Sequence, residues 1–133
     1  MVISAVIKNE YRQNDITVST NGHSQKINIP GKAEGWGSSV NGGELLFLAL
    51  ATCFCNDVYR EAARRKMEVS SVEVTVSGEF GGEGEAAAHI VYEAKVLSSS
   101  ASRQEVDELV RYVDRIAEIH NTLRKGVPVS LKG

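Results

Sequence analysis

Two cysteines separated by a single residue, Cys53 and Cys55, are the side chains of this 133-residue sequence that are best suited to chemistry. A thiolate is a good nucleophile and also a ligand for metal ions. Residues two apart on a helix point about 200° away from each other, so the two thiols lie on different sides of any helix that contains them. We therefore expect no disulfide between Cys53 and Cys55, and each cysteine is judged by its own neighbours.

The line of side chains through Cys53 becomes polar directly after the thiol. Asp57, Arg60 and Arg64 follow Cys53 at helical spacing. A cysteine is reactive where it reaches solvent and has a cation beside it, so we predict that Cys53 is the reactive thiol and that its pKa is depressed. Asp57, one turn after the thiol, opposes a thiolate unless an arginine engages it.

Cys55 has mostly apolar neighbours at helical spacing, namely Leu48, Ala51, Thr52, Val58, Tyr59 and Ala62. A free cysteine in such surroundings behaves as a small hydrophobic residue. Cys55 is therefore predicted to be buried, and it is only a secondary candidate for the reactive thiol.

His120 lies on the apolar side of a second predicted helix, and two interpretations of it stay open. It is either a core histidine whose ring is hydrogen-bonded, or a residue that faces the first helix and lowers the pKa of Cys53. A Cys/His metal site has little support, because the sequence contains neither a CxxC pair nor an HxxxH spacing. We predict no metal and no cofactor; the alternative is a thiol-bound metal that copurifies with the protein.

The cysteines lie in a predicted central helix that runs from about Asn41 to Lys66. Between Leu45 and Cys55 this helix has no charged residue. A helix that is apolar on every side must be buried in a core or against a partner subunit, and this run is shorter than the roughly 20 residues of a membrane span. Asn41 and Glu44 have the spacing of a capping box, so Glu44 is either a helix cap or a catalytic residue.

Strands and one further helix surround the central helix in the predicted order β-β-β-α-β-β-α-β. Alternating apolar residues predict five strands, at 2–8, 16–20, 26–29, 72–76 and 90–96. The second helix begins at the capping box of Ser102 and Glu105 and ends before Gly126, and residues 127–131 form a short last strand. The fold class is α+β, in a single domain of residues 1–133.

The composition excludes several classes of function. With 42% hydrophobic and 24% charged residues and a net charge of −2, the chain lacks the basic surface of a nucleic-acid-binding protein. The N-terminus alternates like a strand and shows no signal peptide, and two cysteines do not form a secreted disulfide framework. We therefore expect a cytoplasmic protein with reduced thiols that binds neither nucleic acid nor membranes.

Three stretches of the sequence resemble the OsmC/Ohr family of osmotically induced and organic hydroperoxide resistance proteins. They are NGGELLFLALATCF, the loop after the first strand that contains Arg12, and the C-terminal run EIHNTLRKGVPVSL. The resemblance extends over nearly the whole chain. It implies the OsmC/Ohr-like fold, in which two chains form an intertwined homodimer around a pair of long, buried central helices.

In the peroxidases of this family, a cysteine thiolate attacks an organic hydroperoxide and becomes a sulfenic acid, and a second cysteine then closes a disulfide that dithiols reduce. The resemblance implies that Cys53 attacks, that Arg12 stabilises the thiolate and that Glu44 holds Arg12. The second cysteine, just after His120 in the family, is missing here. Glu44 lies nine residues before Cys53, and Asp57 four residues after it, as in the OsmC-like branch rather than the hydroperoxide-resistance branch.

The sequence therefore predicts a thiol-dependent redox protein that reduces small organic hydroperoxides through Cys53, with an external thiol or dithiol as the resolving partner. An alternative of another class is a non-enzymatic homodimer that binds a small apolar or acyl ligand in a pocket between its subunits. The consumption of a hydroperoxide in the presence of a dithiol distinguishes these two functions.

Overall fold

The structure, a computed structural model, describes residues 1–133 as five strands and three helices. All strand pairs are antiparallel, which confirms the predicted α+β class. The chain divides into two compact units, Met1–Leu45 and Leu46–Gly133, and each is described by itself. The assignment of residues 1–133 to a single domain stays a prediction.

The first unit contains a three-stranded sheet in chain order, formed by β1 (Ile3–Glu10), β2 (Gln13–Thr20) and β3 (His23–Ile27). Its register places Ile16 opposite Ile7 on one side and opposite Ile27 on the other. Asn21 and Gly22 form the turn between β2 and β3, and both have positive φ, of 49° and 83°. This is the backbone that a tight hairpin turn requires.

The central helix α1 (Gly42–Arg64) begins at the end of the first unit and continues into the second. Its predicted capping box is present: the backbone N–H of Asn41 donates to Glu44 Oε1 at 2.9 Å, and the backbone N–H of Glu44 donates to Asn41 Oδ1 at 2.8 Å. The predicted helix bounds are therefore confirmed to within two residues.

The second unit adds a long hairpin of β4 (Val69–Phe80) and β5 (Ala87–Ser98), followed by α2 (Arg103–Ile116) and α3 (Glu118–Arg124). Phe54, Val58 and Ala62 of α1 pack against Leu109 and Val113 of α2 to form the buried core. The inward-facing apolar side chains of the hairpin cover this core, namely Val69, Val72, Val74, Tyr92, Ala94 and Val96. Apolar alternation in the strands and helical spacing in α1 and α2 are what allow these layers to close.

The prediction that α1 is buried on every side holds for only one side within a single chain. Leu50, Phe54, Val58 and Ala62 are buried. Leu48, by contrast, is 59% exposed. One chain thus leaves part of the apolar surface of α1 exposed. The sequence predicts that a partner subunit covers such a surface. None of the three helices has both the length and the apolar character that crossing a membrane requires.

Three of the predicted elements differ in the structure. The third strand, predicted at 26–29, begins three residues earlier and runs from His23 to Ile27. The second helix is not continuous: it begins at the capping box of Ser102 as predicted, but Ala117 adopts an extended ψ of 111°, which separates α2 from α3. The last strand, 127–131, is wrong. These residues form no regular structure, and Val129 is 98% exposed, because the segment has no hydrogen-bonded strand beside it and a strand requires a partner.

Candidate functional site

The thiol of Cys53 lies between two carboxylates. Cys53 Sγ is 4.0 Å from Asp57 Oδ2, one turn further along α1, and 3.9 Å from Glu118 Oε2, at the start of α3. Both distances permit a weak S–H donor to interact with a carboxylate oxygen. The side chain of Cys53 is half-buried and Glu118 is exposed, so the thiol can be approached from solvent.

A chain of ion pairs leads from this site along α1. Asp57, which is buried, accepts from Arg60 Nη1 at 2.9 Å. Arg60 also donates from Nε to Glu61 Oε2 at 3.0 Å, and Arg64 donates to the same Glu61 oxygen at 2.7 Å. The two arginines are therefore engaged by Asp57 and Glu61, and neither is left to neutralise a thiolate at Cys53.

The predicted depression of the Cys53 pKa is wrong for the single chain. Burial raises the pKa of the Cys53 thiol, and the negative charges of Asp57 and Glu118 raise it further. The backbone N–H groups of Ile119 and Glu118 act in the opposite direction but do not prevail. The prediction that Asp57 disfavours the thiolate form of Cys53 is confirmed. Arg60, however, pairs with the carboxylates of Asp57 and Glu61 and not with the sulfur.

Burial is also the main reason that the pKa of Asp57 is raised, with Glu118 and Glu61 adding to the effect and Arg60 opposing it. Because Asp57 accepts from Arg60 at Oδ1, its other oxygen, Oδ2, is the one that faces the thiol. A carboxylate with a raised pKa beside a thiol is suited to exchange a proton with it.

Cys53, Asp57 and Glu118 are also the one set of side chains whose donor atoms lie close enough to hold a metal ion, all within 4.8 Å of one another. One sulfur and two carboxylate oxygens are a mixed donor set, and Arg60 already occupies one oxygen of Asp57. A cation at this position would compete with Arg60 for that carboxylate. The prediction that the protein holds no metal remains untested.

Cys55 is not the fully buried residue that its apolar neighbours suggested. Its side chain is half-buried, as is that of Cys53, and both cysteines are free thiols. Tyr59, one of the neighbours of Cys55 at helical spacing, is itself exposed. Partial exposure thus does not distinguish the two thiols, and the difference between them is the pair of carboxylates beside Cys53.

His120 lies in the core, but not as either interpretation describes it. It is 4% exposed, and neither ring nitrogen has a hydrogen-bond partner. Its ring packs against Tyr92, with centroids 4.7 Å apart, and against Phe54 of α1 at 6.0 Å. Burial lowers the pKa of His120, so its ring is neutral at pH 7, and it is not among the groups that shift the pKa of Cys53.

Arg12 and Glu44 lie in the first unit. Arg12 is exposed in the turn between β1 and β2, with a positive φ of 62°, and its backbone N–H donates to the carbonyl of Gly35. Its guanidinium lies 5.9 Å from the ring of Tyr11, which packs on the exposed Trp36. Glu44 serves as a helix cap, so the cap interpretation is confirmed, whereas its catalytic role remains untested.

No sequence pattern indicated Glu118, the third member of the site. It is 65 residues away from Cys53 in the chain and is brought to the thiol by the break at Ala117 that starts α3. The hydrogen bond from the Tyr92 hydroxyl to Asp114, and the ion pair of Asp114 with Arg124 at 2.7 Å, were missed for the same reason. Contacts between separate elements have no local spacing that a sequence pattern can reveal.

The fold is shared with solved structures of low sequence identity. An OsmC-like protein from Mycoplasma pneumoniae is 19% identical, with a TM-score of 0.61, over 92% of this chain and 86% of that chain. An organic hydroperoxide resistance protein from Legionella pneumophila is 18% identical, with a TM-score of 0.58, over 98% and 95% of the two chains. The organic hydroperoxide resistance protein OhrB of Bacillus subtilis is 19% identical, with a TM-score of 0.54, over 99% and 97%.

No curated protein matches the chain in sequence. The family model described as OsmC-like protein matches residues 35–132, which include α1, the thiol site and both later helices. This match extends over well more than half of the chain, and the shared fold agrees with it. The chain therefore belongs to the OsmC-like protein family.

Proposed function

We propose that this protein is a homodimeric, thiol-dependent redox protein that reduces organic hydroperoxides through Cys53 and is regenerated by an external thiol or dithiol. The observation that carries the proposal is the free, half-buried thiol of Cys53 on the central helix. It lies beside the carboxylates of Asp57, on the same helix, and Glu118, on α3. Proteins from Legionella pneumophila and Bacillus subtilis that share the fold bear the name organic hydroperoxide resistance protein, which supports this substrate class.

In the proposed reaction the Cys53 thiolate attacks one oxygen of the hydroperoxide. The S–O bond forms as the O–O bond breaks, the organic alkoxide takes up a proton and leaves as an alcohol, and the sulfur becomes a sulfenic acid. An external thiol then displaces water from the sulfenic acid and forms a mixed disulfide. A second thiol, or the other arm of a dithiol, releases Cys53 in its reduced form.

Asp57 and Glu118 fit the proton transfers of this reaction. Their oxygens at 4.0 and 3.9 Å from Cys53 Sγ are placed to accept the thiol proton as the sulfur attacks. The raised pKa of Asp57 makes its protonated form accessible, so it is the better of the two to return a proton to the departing alkoxide. The negative charges of Asp57 and Glu118 also slow the attack, because they disfavour the thiolate form of Cys53.

The cation that this site lacks is assigned to Arg12, held in place by Glu44, in the assembled homodimer. Arg12 is exposed and forms no ion pair with a carboxylate, so its charge is available. The exposed apolar side of α1, including Leu48, supports a second copy as the partner, because obligate homodimers bury such surfaces against each other. We expect this dimer in the cytoplasm, where both thiols stay reduced.

The test is the rate at which the protein consumes cumene hydroperoxide with dihydrolipoamide as reductant. Cys53→Ser should abolish consumption, and the matched variant Cys55→Ser should keep most of it. Glu44→Gln preserves the side-chain oxygen of the capping box but removes the charge, so a loss of rate without a loss of stability would assign Glu44 to the reaction. A Cys53→Ser variant as active as the unmodified protein would overturn the proposal.

A second candidate function is the binding of a small apolar or acyl ligand between the subunits, without catalysis. The raised pKa of Cys53 favours it, because a thiol that is protonated at neutral pH is a slow nucleophile. Under this function the protein consumes no hydroperoxide with any dithiol, and its two cysteines can both be replaced without loss of ligand binding.

A further inference from the structure

The buried ring of His120 has hydrogen-bonding capacity that the chain does not use. A neutral imidazole has one N–H donor and one bare nitrogen acceptor. Both nitrogens of His120 are buried, and neither has a partner. Leaving a buried polar atom without a partner costs the full desolvation penalty of that group. A histidine without a hydrogen-bond partner between the rings of Phe54 and Tyr92 suggests that something outside the chain supplies the missing hydrogen bond.

His120 lines a pocket between α1, β5 and α3. The remaining lining residues are Leu50, Ile90, Tyr92, Leu123 and Arg124. Ile90 and Leu123 are partly exposed, and they form the mouth of the pocket, whereas Leu50 and His120 are buried at its base. The pocket has a volume of about 250 Å³, which corresponds to roughly eight water-sized groups at about 30 Å³ each. The wall of the pocket is mostly apolar, and its polar atoms belong to His120, Tyr92 and Arg124.

Arg124 lines one end of this pocket and keeps unused N–H donors, although its charge is paired with the carboxylate of Asp114. A guanidinium has five N–H donors. Nη1 of Arg124 donates to the carbonyl of Asp114 and to Asn121 Oδ1, and Nη2 donates to Asp114 Oδ1. These three hydrogen bonds leave two N–H groups. The Tyr92 hydroxyl donates to Asp114 and so turns its own proton away from the pocket.

We propose that this pocket binds a small carboxylic acid of about eight or nine heavy atoms in all, carboxylate included, as the volume per group above requires. The carboxylate accepts from Arg124 and from the N–H of His120, and the apolar body lies against Leu50, Ile90 and Leu123. Hydrogen-bond donors decide the class of ligand: Arg124 keeps N–H groups beyond those that bind Asp114 and Asn121, and the N–H of His120 has no acceptor within the chain. The site lies within one chain and does not include Cys53, so it differs from an inter-subunit pocket.

The test is a titration of the full-length protein with benzoate, followed by calorimetry and by the ring ¹⁵N resonances of His120. We expect saturable binding with one benzoate per chain and a shift of the His120 resonances. Acetate, which lacks the apolar body, and benzyl alcohol, which lacks the charge, should each bind at least tenfold more weakly. Arg124→Gln and His120→Leu should each weaken benzoate binding at least fivefold.

Arg115→Gln is the matched control, because it removes the same charge from the exposed surface of α2 and should leave binding unchanged. Cys53→Ser should also bind benzoate normally, so the failure of peroxidase activity and the failure of this site give different results. No saturable binding of benzoate, an unmoved His120 resonance in the unmodified protein, or equal binding by Arg124→Gln would overturn the proposal. The resonance measurement remains decisive even if His120→Leu does not fold.

Discussion

The two compact units of the chain differ in how much of their apolar surface they bury. Every fully buried side chain lies in Leu46–Gly133, where α1 and α2 close over the long hairpin. In Met1–Leu45 no residue is fully buried, and Ile3, Val6 and Ile7 remain exposed on both faces of β1. The second unit is thus stabilised by its own core, whereas the first presents apolar surface to whatever covers it.

The units also differ in charge around the proposed chemistry. The second unit contains the thiol and two carboxylates that disfavour its ionisation, with its nearby arginines already paired. The first unit contains Arg12, a cation that forms no ion pair with a carboxylate. The proposed reaction needs both the thiol of the second unit and the free cation of the first. We therefore expect it to depend on the assembly of the homodimer.

The largest expected effect tests whether the second unit depends on its core. Phe54 is fully buried and contacts both Tyr92 and His120. Phe54→Ala should lower the free energy of unfolding by about 3–5 kcal/mol, from lost burial and the cavity left behind. Leu97→Ala, an exposed apolar residue of β5, is the control and should change it by about 0.5 kcal/mol or less. Equal losses in urea denaturation would contradict the assignment of the core.

A smaller effect is expected from the open side of α1. Leu48→Arg places a charge on an apolar surface that we assign to the homodimer, and it should weaken dimerisation at least 100-fold, or about 2.7 kcal/mol. Gln104→Arg adds a positive charge on an exposed position of α2 and should leave the dimer intact. Sedimentation across a dilution series measures both. A Leu48→Arg variant that dimerises normally would remove α1 from the interface.

The smallest effects concern the pKa of Cys53, measured in Cys55→Ser protein from the pH dependence of alkylation. Because thiolate reacts, the alkylation rate rises with pH until the pKa is passed. Glu118→Gln removes a charge that raises the pKa of Cys53, so it should lower this pKa and speed alkylation at pH 7. Arg12→Gln should shift the pKa in the opposite direction if Arg12 reaches the thiol in the dimer.

Glu108→Gln is the control, because Glu108 is exposed on α2 and does not contribute to the pKa of Cys53. An unchanged pKa in Glu118→Gln would mean that Glu118 points away from the thiol in solution. An unchanged pKa in Arg12→Gln would leave the site without the cation that the proposed peroxidase needs, and it would favour the binding function.

Much of the fold could be predicted from local patterns. The bounds of α1, both capping boxes and the presence and order of five of the six expected strands agree with the structure, because each depends on residues within a few positions of one another. The break at Ala117 and the missing strand at 127–131 could not be predicted in the same way. A helix break within an apolar stripe is decided by packing, and a strand forms only where another strand offers hydrogen bonds.

By itself, the sequence determined the α+β class, the central helix and the position of Asp57 one turn after Cys53, since helical spacing fixes such neighbours. Only the tertiary structure decided that Glu118 joins them, that Arg60 pairs with carboxylates and that His120 is buried without a partner. The physical reason is that a pKa and an unmet hydrogen bond depend on charges and burial contributed by other elements. Those distances arise from the packing of α1, β5 and α3, not from the spacing of residues along any one of them.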